Sequence, residues 1–407
     1  MDRRVLVVGS GAAGIIAAWK AASDGASVTL LEKTPRIGTK ILISGGGKCN
    51  ITHGGPIEDL LSAFRPNEAR FIRPACYRFT NDEIIRMLTS RGLRVYTRPD
   101  GRIFPVDATA KDVVAILGSF LRDAGVLVRL KTAATSLVAE DRQVRGVRTD
   151  ADVLTADAVI LSVGGSSYPN SGTTGDGWPW AKALGHKIVP VKSALAPIDL
   201  KERALPVGVA LRDCVLKARS NDKEFARWRG DLLFTHHGVS GPCALGISRE
   251  VAEAGGVSLE ADVAPNEGFE ELGQRLVNYC RENPKKQVSG AIAELVPESI
   301  VEVVFDRAEV GRETMCSNLD RKARNRIVAT LKALPLGQVN RVPLEKGEVV
   351  SGGVSLDEVD PHTMRSLKAE GLYLCGEMLD IAGPVGGYNL QAAFATGFVA
   401  GESAACS

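Results

Sequence analysis

Apolar residues along this chain fall into two rhythms. Near the N-terminus Val5-Leu6-Val7-Val8 is a short continuous run, and Ser27-Val28-Thr29-Leu30-Leu31 and Val159-Ile160-Leu161-Ser162-Val163 repeat it. Such runs predict strands buried on both faces, the habit of a parallel sheet covered by helices. From residue 1 to about 190 they alternate with helical patterns. After about 345 the same style returns, with Leu372-Tyr373-Leu374-Cys375-Gly376 as a last buried strand and Leu390 to Ala405 as a closing helix. Between these the texture changes. Pro190, Pro197 and Pro206 fall among alternating stretches such as Val207-Gly208-Val209-Ala210-Leu211, which predict small antiparallel strands. Phe269 to Glu282, Val288 to Leu295 and Arg321 to Leu334 carry apolar positions at i, i+3, i+4 and predict helices. The expected architecture is α/β: a discontinuous Rossmann-like domain (1–190 and 345–407), interrupted by a β insert (191–265 and 335–344) and a helical insert (266–334).

Composition adds bounds. With 407 residues, 44% hydrophobic, 24% charged and a net charge of +2, the chain is long enough for two or three domains and its overall charge selects no partner. Eight cysteines are scattered without CxxC or CxxH spacing, which predicts reduced thiols and no metal site. No apolar run approaches the roughly 18–20 residues of a membrane helix. Without a signal-peptide pattern, the expected location is the cytoplasm.

The chemistry sits in glycine-rich segments. Gly9-Ser10-Gly11-Ala12-Ala13-Gly14 follows the first strand, opens a helix, and is followed by Glu32 at the end of the second strand. That is a dinucleotide-binding fingerprint: Gly9 for the turn, Gly11 for approach of a pyrophosphate, Gly14 for helix–strand packing, Glu32 for ribose hydroxyls. A second segment, 38–52, holds Lys40, Gly45-Gly46-Gly47, Lys48, Cys49 and Asn50, suited to wrap a pyrophosphate against bare backbone. A third, Gly164-Gly165 through Gly177, follows a buried strand, with Tyr168 and Asp176 as polar candidates. A fourth, from Gly376-Glu377 to Gly386-Gly387-Tyr388-Asn389-Leu390, opens the last helix, whose dipole suits the developing negative charge of a reduced flavin. Glu377 would be free to hold ribityl hydroxyls. A second loop of this kind favours FAD over NAD.

In combination these stretches resemble the BaiN/RdsA-like flavoprotein family, within the two-dinucleotide-fold flavoproteins. KILISGGGKCNIT, GGSSYPNSGTTGDGW, LLFTHHGVSGP, GGVSLDEVDP and GLYLCGEMLDIAGPVGGYNLQAAFATG carry the likeness along the whole chain. The resemblance implies an FAD domain interrupted by a β-barrel and a helical insert. It implies contacts to noncovalent FAD from Gly9, Gly11, Gly14, Glu32, Lys33, Lys40, Gly47, Asn50, Glu377, Gly387, Asn389 and Leu390, with Ala134 meeting adenine through backbone. Ala12, Ala13, Gly45, Gly46, Gly164 and Gly376 complete the expected cofactor set. His236 matches the family's FTHxGxSGP pattern. The chain departs from the pattern at Ala382–Val385, where an aromatic or threonine often stands, and has no second GxGxxG for NAD(P)H.

The expected reaction is hydride transfer between flavin N5 and a substrate at the seam of FAD domain and insert, reducing a C=C bond with NAD(P)H as transient donor. His236, Tyr388 and Cys49 are the candidates for proton delivery. Alternatives are a ribosomal RNA uridine reductase, a small-amine oxidase using O2, and a non-catalytic redox sensor. The RNA reading draws on nine arginines in 65–102 (Arg65, Arg70, Arg73, Arg78, Arg86, Arg91, Arg94, Arg98, Arg102) against four acids, interleaved with Phe71, Tyr77, Phe79 and Tyr96. The other reading of that stretch is a solvated basic face over core aromatics.

Overall fold

A computed structural model describes residues 3–202 and 206–406. The chain divides into two compact units, 1–191 with 349–407 and 192–348.

The first unit is built on strands β1 (Arg4–Val8), β2 (Ser27–Leu31), β3 (Leu127–Arg129), β4 (Ala158–Leu161) and β5 (Leu372–Leu374), all parallel in the order β5-β4-β1-β2-β3. Helix α1 (Ala12–Ser23) connects β1 to β2. Helices α2 (Pro66–Arg78) and α3 (Asn81–Thr89) follow the second glycine segment, and α4 (Tyr388–Cys406) closes the unit. Val5, Val7, Leu30, Val159, Ile160, Leu372 and Leu374 are buried, as expected of strands covered on both faces. Their core is continuous with α1 and α4.

In the second unit Ile198–Leu200, Gly238–Ser240, Lys223–Phe234, Ala210–Ser220, Ser258–Asp262 and Leu334–Arg341 pair antiparallel, in that order, into a closed barrel. Closure removes the sheet edges. Helices span Phe269–Glu282, Ser289–Ala293, Glu298–Ala308 and Arg321–Lys332 and share the barrel's core.

Three local expectations are corrected. The helix from Arg321 ends at Lys332, and Leu334 begins a strand, because a residue preceding proline (here Pro335) is driven out of the helical region. The strand expected from Val207 starts at Ala210; Pro206-Val207-Gly208 forms a turn, with Gly208 at φ +82°. Within the expected helical insert, Glu298–Ala308 is a helix that the i, i+3, i+4 runs do not mark. Its Ile300-Val301 and Val303-Val304 pairs favour strands in isolation.

Candidate active site

The fingerprint loop lies at the carboxyl end of β1. A Cβ on Gly14 would stand 2.5 Å from Ser162 Oγ and 3.0 Å from Gly9 C, so α1 reaches the sheet only because residue 14 has no side chain. Gly11, by contrast, has nothing within 4 Å of where a Cβ would be. It caps α1 without a side chain, and no acid stands in the first turn. The N–H groups of Ala12, Ala13 and Gly14, left over at any helix start, therefore face an open, electropositive surface.

Glu32 is nearly buried and already engaged. Its Oε2 accepts from Ser10 N (2.9 Å) and Ser10 Oγ (2.5 Å), and Oε1 from Thr34 N (2.7 Å). Of roughly four lone-pair directions on a carboxylate, about one is left for a ribose hydroxyl. Thr132 N donates to Glu32 O (2.9 Å), which brings the segment leading to Ala134 alongside; Ala134 opens the strand Ala134–Glu140. Lys33 Nζ donates to Thr174 Oγ1 and Asp176 Oδ2, both at 2.6 Å. Burial pushes the Asp176 carboxyl up, but Lys33 and Thr174 outweigh it and hold the group below its usual range.

Gly45, Gly46 and Gly47 have φ of +56°, +67° and +85°, a run of left-handed backbone that favours glycine. Lys40 Nζ pairs with Glu377 Oε2 (2.5 Å) and donates to Ser167 Oγ (2.8 Å). Glu377 Oε1 also accepts from Val350 N (3.1 Å) and Ser167 Oγ (3.3 Å). The expectation of a free Glu377 is thus corrected: the carboxylate is anchored by a lysine 337 positions away. The backbone of Gly164-Gly165 lies beside it, a Cβ on Gly165 falling 3.1 Å from Glu377 Cδ.

At the start of α4 the side chains of the fourth segment turn inward. Asn389 accepts from Gly383 N (2.8 Å) and donates to Gly383 O (2.9 Å), so its amide braces the loop. With its amide oriented by its neighbours, Asn50 accepts from Gly387 N (2.9 Å) and donates to Thr52 O (3.2 Å). Gln391 N donates to Gly387 O (3.1 Å), the first bond of the helical ladder. The N–H groups ahead of it, up to that of half-buried Leu390, are what the helix offers a ligand. Gly376 lies beneath, its Cβ position 2.9 Å from Ala13 Cβ.

The proton-delivery candidates separate. Cys49 is fully buried and burial pushes its thiol up to about 11, so it is a packed thiol and not a reactive one. His236 is exposed on the turn between Lys223–Phe234 and Gly238–Ser240, in the second unit. Tyr388 is half-buried at the first position of α4 and stacks on His53, a residue the sequence did not single out.

Residues 65–102 form α2, α3 and an antiparallel sheet containing Val95–Thr97 and Arg102–Pro105. Arg65 heads α2, its backbone N–H donating to Glu68 Oε2 (3.3 Å). Arg70, Arg73, Arg78, Arg86, Arg91 and Arg94 are exposed. Ion pairs join Arg78 to Glu402, Arg86 to Glu83, Arg91 to Asp123, Arg94 to Asp107 (2.9 Å) and Arg102 to Asp100 (2.6 Å). Arg98 lies over the Phe104 ring at 4.0 Å. Phe71 and Phe79 are core, so only Tyr77 and Tyr96 remain as exposed rings. The stretch is two amphipathic helices whose charge is largely neutralised.

Two helix N-termini and four glycine segments thus line one end of one parallel sheet, where open sheets of this type bind ligands. Bare N–H groups, an open Gly11 and the left-handed run at 45–47 fit an adenine dinucleotide. Among the described residues no cluster of side chains suits a metal ion, and no helix is long and apolar enough to cross a membrane.

The family model of the HI0933-like protein Rossmann domain matches residues 3–403. The chain is 30% identical to a 3-dehydro-bile acid delta(4,6)-reductase of Clostridium scindens, covering 99% of both chains. It is 29% identical to a ribosomal RNA dihydrouridine synthase of Haemophilus influenzae, covering 97% of this chain and 96% of that one. A solved 3-ketosteroid-delta4-(5alpha)-dehydrogenase from Rhodococcus jostii shares the fold, with a TM-score of 0.54, 16% identity, and coverage of 100% of this chain and 98% of that one. The chain belongs to the HI0933-like Rossmann-domain family and is an oxidoreductase on a Rossmann-like FAD-binding fold.

Proposed function

We propose that the chain holds FAD noncovalently in its first unit and reduces a C=C bond conjugated to a carbonyl, with NAD(P)H as donor. The observation that carries the reading is that α1 and α4 run side by side in one direction, so that both N-termini open onto the glycine-lined end of the sheet. Two full-length relatives support the reaction class: a bile-acid delta(4,6)-reductase acts on ring double bonds, and dihydrouridine is uridine with its C5–C6 bond saturated. When bound, the flavin supplies hydride transfer through N5. The chain's own residues do the rest. Backbone N–H groups of Ala12, Ala13 and Gly14 take the pyrophosphate. Glu32 offers its last lone pair to the adenosine ribose. The Lys40–Glu377 pair presents a fixed charged edge to the ribityl chain, and the start of α4 faces the ring edge that gains charge on reduction.

The test is direct. Purified protein should be yellow, release FAD on denaturation, and bleach with NADH or NADPH. Reoxidation by cyclic enones without O2 should follow. A chain that binds no flavin refutes the reading; one that turns over only with O2 and amines makes it an oxidase.

A second reading places the double bond in a uracil ring of ribosomal RNA, supported by the Haemophilus influenzae relative and by exposed Arg70 and Arg73 beside Tyr77. Arg78 is held by Glu402 and is less free to meet a phosphate. In cells lacking the gene, mass spectrometry of digested ribosomal RNA should then lose a dihydrouridine that the wild-type chain restores. The Arg70→Glu, Arg73→Glu variant should bind FAD but fail to restore it. An unchanged RNA profile leaves the small-molecule enone.

A further inference from the structure

The loop leading into α4 carries an aromatic pair joined across the whole chain length. His53 lies flat against Tyr388, ring centroids 4.6 Å apart and planes 20° from parallel. Its Nδ1 is 3.1 Å from Gly386 O. A carbonyl only accepts, so Nδ1 carries the hydrogen. Phe64 meets Tyr388 edge-on, with centroids at 6.2 Å.

Bare backbone makes room for the stack. A Cβ on Gly101 would lie 2.6 Å from His53 Cε1, and one on Gly386 2.5 Å from Tyr388 Cε2. Both glycines have positive φ, +80° and +145°. Tyr388 is therefore held by a ring on its face and a ring at its edge, and the ring on its face is itself fixed by Gly386 O. Its hydroxyl makes no hydrogen bond to the described residues. Burial, and then the Asp100 carboxylate, hold the phenol above its usual value, so it is a weaker acid than a free tyrosine and yields its proton only to a strong base such as the α carbon of an enolate.

We propose that Tyr388 is the proton donor of the reduction and that His53 is the positioning residue that fixes its ring. The assignment rests on the function proposed above. As hydride reaches the carbon β to the carbonyl, the phenol O–H breaks and its proton forms the C–H bond at the α carbon. The phenolate then regains a proton from water, and the electron pair derives from NAD(P)H through the flavin. The other candidates serve less well: Cys49 has no exposed surface, and no hydrogen bond to the described residues fixes the His236 ring.

The two half-reactions are read separately, flavin bleaching by NAD(P)H and reoxidation by an enone without O2. Tyr388→Phe should slow reoxidation about 100-fold, the range general acids contribute, with kcat falling more than KM rises. His53→Ala should lose much of the same rate. His53→Asn, whose amide can still donate to Gly386 O, should recover part of it, a rescue that mere space-filling would not give. In cofactor-free protein, ring-nitrogen NMR should show His53 as the Nδ1–H tautomer, and Tyr388→Leu should shift its signals. A loaded chain whose Tyr388→Phe variant reoxidises at the wild-type rate overturns the donor assignment alone, and an Nε2–H tautomer at His53 overturns its positioning role. Equal rates for His53→Ala and His53→Asn overturn the positioning role. A wild-type chain without FAD overturns the proposed function and this step with it.

Discussion

Helices α1 and α4 touch along a stripe of small residues, and that contact sets the distance between the two N-termini of the site. A Cβ on Gly397 would sit 2.9 Å from Ala13 C and Cα, and one on Gly401 3.0 Å from Ala17 C and Cα. Ordinary carbon–carbon contact needs about 3.5–4.0 Å, so Gly397→Ala must part the helices by roughly 0.6–1 Å. Overpacking costs about 1–3 kcal/mol, here about 2–3 because the clash is with backbone that cannot rotate away, while alanine returns about 1 kcal/mol of helix propensity. The net expectation is a loss of roughly 1–2 kcal/mol, or about 2–4 °C in Tm per kcal/mol for a unit of this size. Gly273→Ala is the control. It lies inside the helix Phe269–Glu282 with only Val328 Cγ2 at 4.0 Å, so it should gain about 0.5–1 kcal/mol. Thermal unfolding followed by circular dichroism reads stability, and flavin fluorescence reads cofactor retention. Gly397→Ala should also weaken FAD retention more than Gly401→Ala, because residue 397 is nearer the site. If Gly397→Ala is as stable as wild type, or stabilised like Gly273→Ala, the argument from close packing fails.

Further outcomes follow from individual groups. Burial holds His186 below its usual value despite Glu358 3.4 Å away, so the unfolded chain binds its proton more readily than the folded one. Its contribution to stability is complete above about pH 6.5 and is lost as pH falls below that, which urea titrations at pH 7.5 and 5.5 should register and His186→Gln should flatten. Lys40→Met strands a partly buried carboxylate on Glu377 and should cost about 1–3 kcal/mol in thermal unfolding, with Lys40→Met, Glu377→Gln recovering part of it. With iodoacetamide at pH 8, native protein should label at exposed Cys406 and spare Cys49, as read by peptide mass spectrometry; labelling of Cys49 would contradict its burial.

How much of this was legible depends on sequence distance. The parallel strands could be read because Val5–Val8 and Val159–Leu161 are apolar without interruption, which few other environments tolerate. The fingerprint could be read because strand, glycines, helix and acid follow within 32 residues. Partners far apart in sequence were invisible. Nothing local announces that Lys40 meets Glu377, or that His53, a lone histidine between Thr52 and Gly54, lies on Tyr388. The arginines of 65–102 could not be weighed for the opposite reason: composition counts charges but not the acids Asp107, Asp123 and Glu402 that fold back onto Arg94, Arg91 and Arg78 and leave Arg70 and Arg73 exposed.

The first unit is completed by its most distant parts. β5 and α4 supply one edge of the parallel sheet and one of the two helix starts that face the dinucleotide, and both lie beyond residue 371. A growing chain on the ribosome can therefore close the barrel of the second unit, whose strands all lie between 198 and 341, long before the nucleotide unit can be finished. Any chain that stops short of Leu372 carries an intact N-terminal fingerprint but lacks β5 and the α4 helix start. In this fold the dinucleotide surface is complete only once the last helix has been made.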